Sequence, residues 1–246
     1  MSGAVGRPVL LMSGNAHKVE ELRAFFPWAR LITLRDYPIA EEPVEDAPTF
    51  EGNALIKASA GVLHLRALSA RPDLSSELSP ELGGALALAD DSGVSVDALG
   101  GAPGVLSARY APGGDADRAR ALLDALAATG ARTPEERAAR FTCVLALCGL
   151  TAEDEEQLGD LAALEGLSWG RTAAGERALL ATGRCEGSIS LAPRGEGGFG
   201  YDPVFSLLDG RGVAELTPEE KAAVSHRGAA VRALAPALQL LCAKNT

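Results

Sequence analysis

The chain has 246 residues, 47% of them hydrophobic, and carries 33 acidic against 23 basic side chains for a net charge of −10. That size and apolar content fit one large domain or two closely joined lobes around a packed core, and the negative balance disfavours a duplex-binding surface, leaving phosphate recognition to a local cluster with a divalent metal. Cys143, Cys148, Cys185 and Cys242 show neither a disulfide framework nor zinc spacing, no run approaches the ~20 apolar residues of a membrane span, and Val9 to Met12 is too short for a signal-peptide core, so a reduced cytoplasmic protein is expected.

Val9-Leu10-Leu11-Met12 reads as a buried first strand, followed by the turn Ser13-Gly14-Asn15 and a helix with Val19, Leu22 and Phe26 on one face. Arg30 to Leu34 is a second strand, Asp36 to Pro48 an acidic, Pro-rich loop, and Thr49 caps a helix striped by Leu55, Ala58, Val62 and Leu65. Arg71 to Gly84, polar and rich in breakers, is a surface excursion. Ala85 to Ala89 reads as a buried strand ending on two adjacent carboxylates, Asp90 and Asp91. Ionised acids beside a buried strand need a cation, and ligand sites in α/β sheets gather beyond the carboxyl ends of strands, so this pair is the leading metal candidate. The plain alternative is an Asp-Ser-Gly turn with one solvated acid.

Val94 and Val96 then alternate with Ser95 and Asp97 as a half-exposed strand, and Gly100 to Gly104 turns. Asp115 opens a helix with Ala119, Leu122, Leu123 and Leu126 inward, and Arg140 to Cys148 alternates as a strand, which makes the class mixed α/β. Thr151 to Leu180, acidic and then glycine-rich, is an insertion with some helix, and Ser188 to Leu191 resumes a strand. Thr217-Pro218-Glu219-Glu220 starts a helix that runs, with a break near Ser225, to Leu241 and kinks at Pro236. There is no internal repeat, heptad run or low-complexity tail, which argues against a scaffold.

Two helix starts carry cations, His17-Lys18 and His226-Arg227, the latter behind Ser225 as a plausible N-cap. Cations there oppose the helix dipole by roughly 0.3–1 kcal/mol each, so something negative should compensate. A phosphate held by free backbone N–H groups with the cation beside it does so; long side chains swinging into solvent are the simpler alternative. Gly195 to Gly200 spells G-x-G-x-x-G, but Tyr201-Asp202-Pro203-Val204-Phe205 follows where a dinucleotide fingerprint needs a helix, and no Gly-Lys-Ser/Thr of a P-loop occurs. These glycines better suit a backbone that approaches a flat ligand, with Phe199 or Tyr201 to stack on a base and Asp202 to accept hydrogen bonds, against ordinary core packing for the aromatics. The three histidines fit no H-E-x-x-H or triad spacing, and no nucleophile elbow is present.

With these residues in view, the chain resembles the inosine triphosphate pyrophosphatase family, which hydrolyses non-standard purine nucleoside triphosphates. Ser13-Gly14-Asn15-Ala16-His17-Lys18 is similar to the family's Thr-Gly-Asn-x-x-Lys, Thr49-Phe50-Glu51-Gly52-Asn53-Ala54 to its Thr-Phe-x-x-Asn-Ala, and Ala89-Asp90-Asp91-Ser92-Gly93 to its Ala-Asp-Asp-Ser-Gly. Gly101-Ala102-Pro103-Gly104 with Ser107-Ala108-Arg109-Tyr110, then Gly198-Phe199-Gly200-Tyr201-Asp202-Pro203 and Ser225-His226-Arg227-Gly228, follow in the family's order. The resemblance implies an elongated mixed β-sheet with helices forming two lobes around a central nucleotide cleft, a single catalytic domain in a homodimer, and Mg²⁺-dependent cleavage of ITP, dITP or XTP between the α- and β-phosphates. By the same resemblance Ser13, Gly14, Asn15, Ala16, His17, Lys18 and Lys221 hold phosphates, Asp91 binds metal and activates water, and Ser92 contacts substrate. Phe199, Gly200, Tyr201 and Asp202, with His226 and Arg227, surround the base.

The departures are informative. Ser13 replaces the usual Thr and keeps its hydroxyl, while Gly52 stands where many members have Glu. For the acid pair upstream of Thr-Phe, Val44 precedes Glu45, so Glu45 is the chosen second metal ligand with Glu51 in reserve and Asp90 a third candidate beside Asp91. Residues 71–84 and 151–180 have no counterpart in short members. Arg227 and backbone N–H groups near Phe199 are the donors expected to meet a purine 6-carbonyl. Two other readings stay open: a purine-nucleotide sensor without hydrolysis, and a Maf-like nucleotide pyrophosphatase.

Overall fold

The structure, a computed structural model, describes residues 6–38, 42–71, 82–159 and 164–243. Its elements are β1 (Val9–Met12), α1 (Ala16–Phe25), β2 (Leu31–Thr33), α2 (Phe50–Ser69), β3 (Leu86–Val96), α3 (Asp115–Thr129), β4 (Ala138–Cys148), α4 (Ala152–Leu158), β5 (Leu167–Arg171), β6 (Arg177–Ile189), β7 (Phe205–Leu207), α5 (Pro218–Val224) and α6 (His226–Cys242). The strands form a mixed seven-stranded sheet in the order β2-β1-β3-β4-β6-β5, with β7 also on β6, so the mixed α/β class expected from the sequence is the one adopted. The chain divides into two compact units, one made of the chain up to Asp91, Val144–Thr182 and the chain from Ala230, the other of Ser92–Cys143 and Gly183–Ala229.

In the first unit β1 lies parallel to β2 and to β3, with Val9 opposite Leu31 and Leu86, and Met12 opposite Ala89. All four residues of β1 are buried, as a parallel strand covered on both faces requires. Helix α2 lays Ala54, Ala58, Val62 and Leu65 onto Leu10, Met12, Ala87 and Ala89. Gly61 permits that approach, since a Cβ there would stand 2.6 Å from Met12 Cγ and 2.9 Å from Ala87 Cβ. Lys57 is one helical turn earlier on this closely seated helix. The second unit packs Val94, Val96, Leu122, Leu126, Phe141, Tyr201 and Phe205 together, with β7 antiparallel to the end of β6.

Three expectations need correction. Asp90 and Asp91 are not at a strand end: β3 runs through both to Val96, and no Asp-Ser-Gly turn interrupts it. The strand continues because Ser92 and Gly93 are small and Val94 and Val96 restore a buried apolar face, while Ser95 is half-buried and Asp97 exposed, the alternation expected of a half-exposed strand. The segment 151–180 is more than an insertion with some helix, as it supplies α4, β5 and the start of β6. The strand expected at Ser188 is the end of β6, whose first residues pair with β5 from Leu167↔Ala181 to Arg171↔Arg177. Its apolar run Ala178 to Ala181 is buried and its later half is interrupted by Gly183, Arg184 and Glu186, which hid the continuity from periodicity. Of the expected excursion at 71–84, residues 72–81 lie outside the described residues. Helix α6 begins after Ser225 and continues through Pro236 to Cys242. Among the described residues no helix is long and apolar enough to cross a membrane.

Candidate active site

In the first unit, two lysines meet the two aspartates of β3. Neighbours in an extended strand turn alternately, and here they find different partners. Lys18 Nζ of α1 lies 2.5 Å from Asp90 Oδ1, whose side chain has no exposure. Lys57 Nζ of α2 donates to Asp91 Oδ1 at 3.1 Å and to the Asp90 carbonyl at 2.8 Å, and lies 2.7 Å from Glu45 Oε2. The negative partner sought for Lys18 is thus the chain's own Asp90. Glu45 reaches this group because its loop is fastened to α2: Asn53 Oδ1 accepts from the Ala47 N–H at 3.0 Å, and a Cβ on Gly52 would come within 2.5 Å of the Ala47 Cβ. The residue that departs from the usual Glu is therefore the one that lets the Glu45 loop lie against the helix.

Burial works against the charge of Lys57, yet Asp91, Glu45 and Asp90 outweigh it and the lysine's pKa is raised. For Asp91 burial dominates in the other sense. It lifts the carboxyl above its usual 3.8 despite Lys57 and Lys18, and Glu45 adds to the rise. Asp91 Oδ2 is buried with no hydrogen-bond partner among the described residues. A buried carboxylate oxygen without a donor is costly, and a cation satisfies it. No group of three or more His, Cys, Asp or Glu forms a metal cage among the described residues. The donors present nevertheless suit Mg²⁺, which commonly takes one or two carboxylates and completes its shell from water and phosphate oxygens.

At the start of α1, Asn15 is the N-cap, and its side chain accepts from the N–H groups of His17 at 3.0 Å and Lys18 at 3.3 Å, while Ser13 Oγ accepts from Asn15 N–H at 3.2 Å. These N–H groups, expected to be open to phosphate, are occupied by the turn's own side chains. Ser13, Gly14, Ala16 and His17 remain around the cationic start of α1, with Gly14, Asn15, Ala16 and His17 exposed.

In the second unit, Arg227 is 2% exposed and its Nη2 donates to Ser92 Oγ at 3.0 Å. Lys221 Nζ, buried on α5, lies 2.9 Å from Asp202 Oδ2 and 4.5 Å from the centre of the Phe199 ring, with the Arg227 guanidinium 5.7 Å from that ring. Lys221 therefore stands with the residues expected around a base. His226 stacks on Phe141 at 4.7 Å, and both line a small cavity with Cys185, Asp202 and Lys221. Ser225 caps α6 as its sequence suggested, its Oγ accepting from Gly228 N–H at 3.0 Å.

The loop Gly198 to Asp202 separates the two aromatics. Tyr201 is in the core with its hydroxyl donating to the Ser107 carbonyl at 2.9 Å, and burial pushes the phenol up to about 12. Phe199 is the half-exposed ring of the two. The Phe199 and Gly200 N–H groups, expected as donors to a carbonyl, already donate to Asp202 Oδ2 at 2.9 Å and Asp115 Oδ2 at 2.7 Å. The glycines lead into one short 3-10 turn, Asp202–Val204, and then β7, with no α-helix packed on the third glycine, in keeping with the rejected dinucleotide fingerprint.

Lys57, Phe141 and Cys185 were missed from sequence. Lys57 follows Asn53 by four residues and so shares its helix face, a signal available from the Thr49 to Ala54 motif had it been extended by one turn. Phe141 and Cys185 are apolar strand residues that look like any other core position.

The sequence pattern of the Ham1 family matches residues 9–237. The chain belongs to the Ham1 family. A protein named dITP/XTP pyrophosphatase from Symbiobacterium thermophilum is 41% identical over 233 residues, spanning 95% of this chain and 94% of that one, and its namesake from Geobacillus kaustophilus is 37% identical over 231 residues, 93% of this chain and 92% of that one. Among solved structures, a HAM1 protein from Coxiella burnetii shares 32% identity with a TM-score of 0.69, covering 94% of this chain and 98% of its own. A nucleoside-triphosphatase, or dITP/XTP pyrophosphatase, from Mycobacterium abscessus shares 39% identity with a TM-score of 0.61, covering 93% and 99%. The family resemblance carried by the motifs is thus borne out along nearly the whole Ham1 chain.

Proposed function

We propose that this Ham1 chain hydrolyses non-standard purine nucleoside triphosphates, among them ITP, dITP and XTP, to the nucleoside monophosphate and pyrophosphate. The observation that carries the reading is the orphaned, buried Asp91 Oδ2 beside a lysine shared with Glu45; the names of the relatives supply the substrate class. Asp91 and Glu45 are the residues we assign to Mg²⁺, which when bound neutralises phosphate charge and lowers the pKa of water. Asp90, engaged with Lys18, we assign to holding that lysine.

Asp91 accepts the proton of the attacking water as the bond between the α- and β-phosphates breaks and pyrophosphate leaves. Lys18 and Lys57 offset the negative charge of the phosphate chain. Phe199 stacks on the purine, and Arg227 with Lys221 supplies side-chain donors to its 6-carbonyl. Adenine has an amino group there and cannot accept; a polar mismatch of that kind can discriminate by ~10⁴–10⁵. Within the same reading the protein works in the cytoplasm, and as a homodimer, an oligomeric state that light scattering on the purified chain tests.

A panel of ITP, dITP, XTP, GTP and ATP with Mg²⁺ and separate detection of pyrophosphate and orthophosphate tests the reaction. Direct release of orthophosphate, or equal turnover of ATP and ITP, counts against it, and tight binding of ITP without turnover favours a sensor.

A further inference from the structure

The loop from Gly198 to Asp202 holds the only half-exposed aromatic ring of the candidate base site described above, and its backbone is permissive: Gly198 and Gly200 sit at φ of 75° and 63°. Glycine loses more conformational freedom than any other residue on ordering, so a ring mounted between two glycines stays in place only if its peptides are held. Two carboxylates hold them. Asp202 Oδ2 accepts from the Phe199 N–H at 2.9 Å and Asp115 Oδ2 from the Gly200 N–H at 2.7 Å, fixing the peptide on either side of Phe199. The first bond is local, but the second reaches 85 residues along the chain to the first residue of α3.

Asp115 is well prepared for this. Its Oδ1 is paired with Arg118 one turn along α3, and Arg118 Nη1 donates to the Gly113 carbonyl at 2.9 Å. Each carboxylate oxygen therefore has its own partner, and the side chain cannot swing away without breaking both contacts. The amino end of a helix also favours a negative charge. The ring so positioned stands 4.5 Å from Lys221 Nζ and 5.7 Å from the Arg227 guanidinium, so a shift of Gly200 moves Phe199 relative to both cations.

We infer that Asp115 is a positioning residue for base selection, acting through the Gly200 peptide on Phe199; the inference rests on the function proposed above. Asp115→Ala should raise KM for ITP by ~10-fold with kcat within ~3-fold, and lower the ITP-over-ATP preference by a similar factor. Inhibition by inorganic tripolyphosphate, which has no base, should be unchanged. Asp115→Asn keeps an acceptor oxygen and should restore KM to within ~3-fold of wild type. In ¹⁵N-labelled protein the Gly200 amide proton should move upfield and exchange faster in Asp115→Ala but not in Asp115→Asn. A folded Asp115→Ala with wild-type KM and preference, an unchanged Gly200 amide, or an equal loss of tripolyphosphate binding overturns the inference alone. Wild-type protein without ITP turnover overturns the function and this inference together.

Discussion

Replacing Lys57 with methionine probes the acidic site without reference to catalysis. The thioether keeps the length of the stem and removes the charge. Left behind are the Glu45 and Asp91 carboxylates, with side chains 33% and 11% exposed, and the Asp90 carbonyl, all of which Lys57 had satisfied. Removing one partner of a buried ion pair costs ~3–5 kcal/mol. Glu45 can turn to water, so the lower end applies, and Asp91 accounts for nearly all of it. At ~2–4 °C per kcal/mol for a chain of this length, a loss of ~3 kcal/mol lowers the melting midpoint by ~6–12 °C.

The dependence on pH follows from Asp91. Burial already holds its carboxyl above the unfolded value of 3.8 in the metal-free protein, and loss of Lys57 removes a cation that opposes the rise. A carboxyl whose folded pKa is raised loses stability as pH increases from the unfolded pKa through the folded one, because the fold retains the proton longer. The deficit of Lys57→Met is therefore full at neutral pH and shrinks as pH falls towards 3.8. Scanning calorimetry at one scan rate in EDTA, on Lys57→Met, Asp91→Asn and the double variant, measures this. Asp91→Asn should recover most of the loss, and Mg²⁺ should raise the midpoint of Lys57→Met more than that of wild type. A midpoint within about 2 °C of wild type at pH 7, or no recovery in the double variant, would refute the reasoning.

Arg227→Ala should lower kcat/KM for ITP by ~10²-fold through lost charge-assisted hydrogen bonds, and for ATP much less. Lys18→Ala should weaken all triphosphates alike; parallel kinetics on ITP and ATP decide both, and equal losses in Arg227→Ala would place that residue on the phosphates. Asp154 caps α4 at the Thr151 N–H and pairs with Arg7 at 2.7 Å, and these outweigh burial to hold its pKa below 3.8. Asp154→Ala should therefore melt ~3–8 °C lower at pH 7, a cost of ~1.5–2 kcal/mol. Because the folded pKa is depressed, that contribution is present above 3.8 and disappears as pH falls through the folded value, which melting at pH 7 and pH 3 checks.

The parts of the fold that the sequence declared most clearly are those with a single period. β1 is a bare apolar run with Gly14 and Asn15 after it, and α2 has a clean stripe behind a Thr cap, so both were legible to within a residue or two. β3 was broken in two because adjacent acids imitate a turn; Lys18 and Lys57, distant in sequence, help make them tolerable inside a strand. β6 was lost for a related reason, since a strand buried early and polar later shows no constant alternation. In the candidate site, Asp91 and Arg227 could be named because their chemistry is unusual for their surroundings, and Glu45 only from the family resemblance. Asp115 could not, for an acid at a helix start is ordinary until the Gly200 N–H appears against it.

The two aspartates also allow a test of whether adjacent acids share one task. Asp90 is fully enclosed and 2.5 Å from Lys18 Nζ, whereas Asp91 has an oxygen with no partner among the described residues. If Asp90 serves to hold Lys18, Asp90→Asn keeps an acceptor but loses the charge, and Lys18, 16% exposed, can move to solvent. The cost to stability should be only ~1–2 kcal/mol. Catalysis should then show a raised KM for every triphosphate with much of kcat and the Mg²⁺ requirement retained. In the proposed reading Asp91→Asn removes both the metal ligand and the proton acceptor, so kcat should fall by ~10³-fold or more in a protein that remains folded. Steady-state kinetics over a Mg²⁺ titration separate the two. An Asp90→Asn variant that needs tenfold more Mg²⁺ and loses kcat to the same degree as Asp91→Asn would make Asp90 a metal ligand, and Lys18 would then be the cation that Mg²⁺ displaces rather than one that acts beside it.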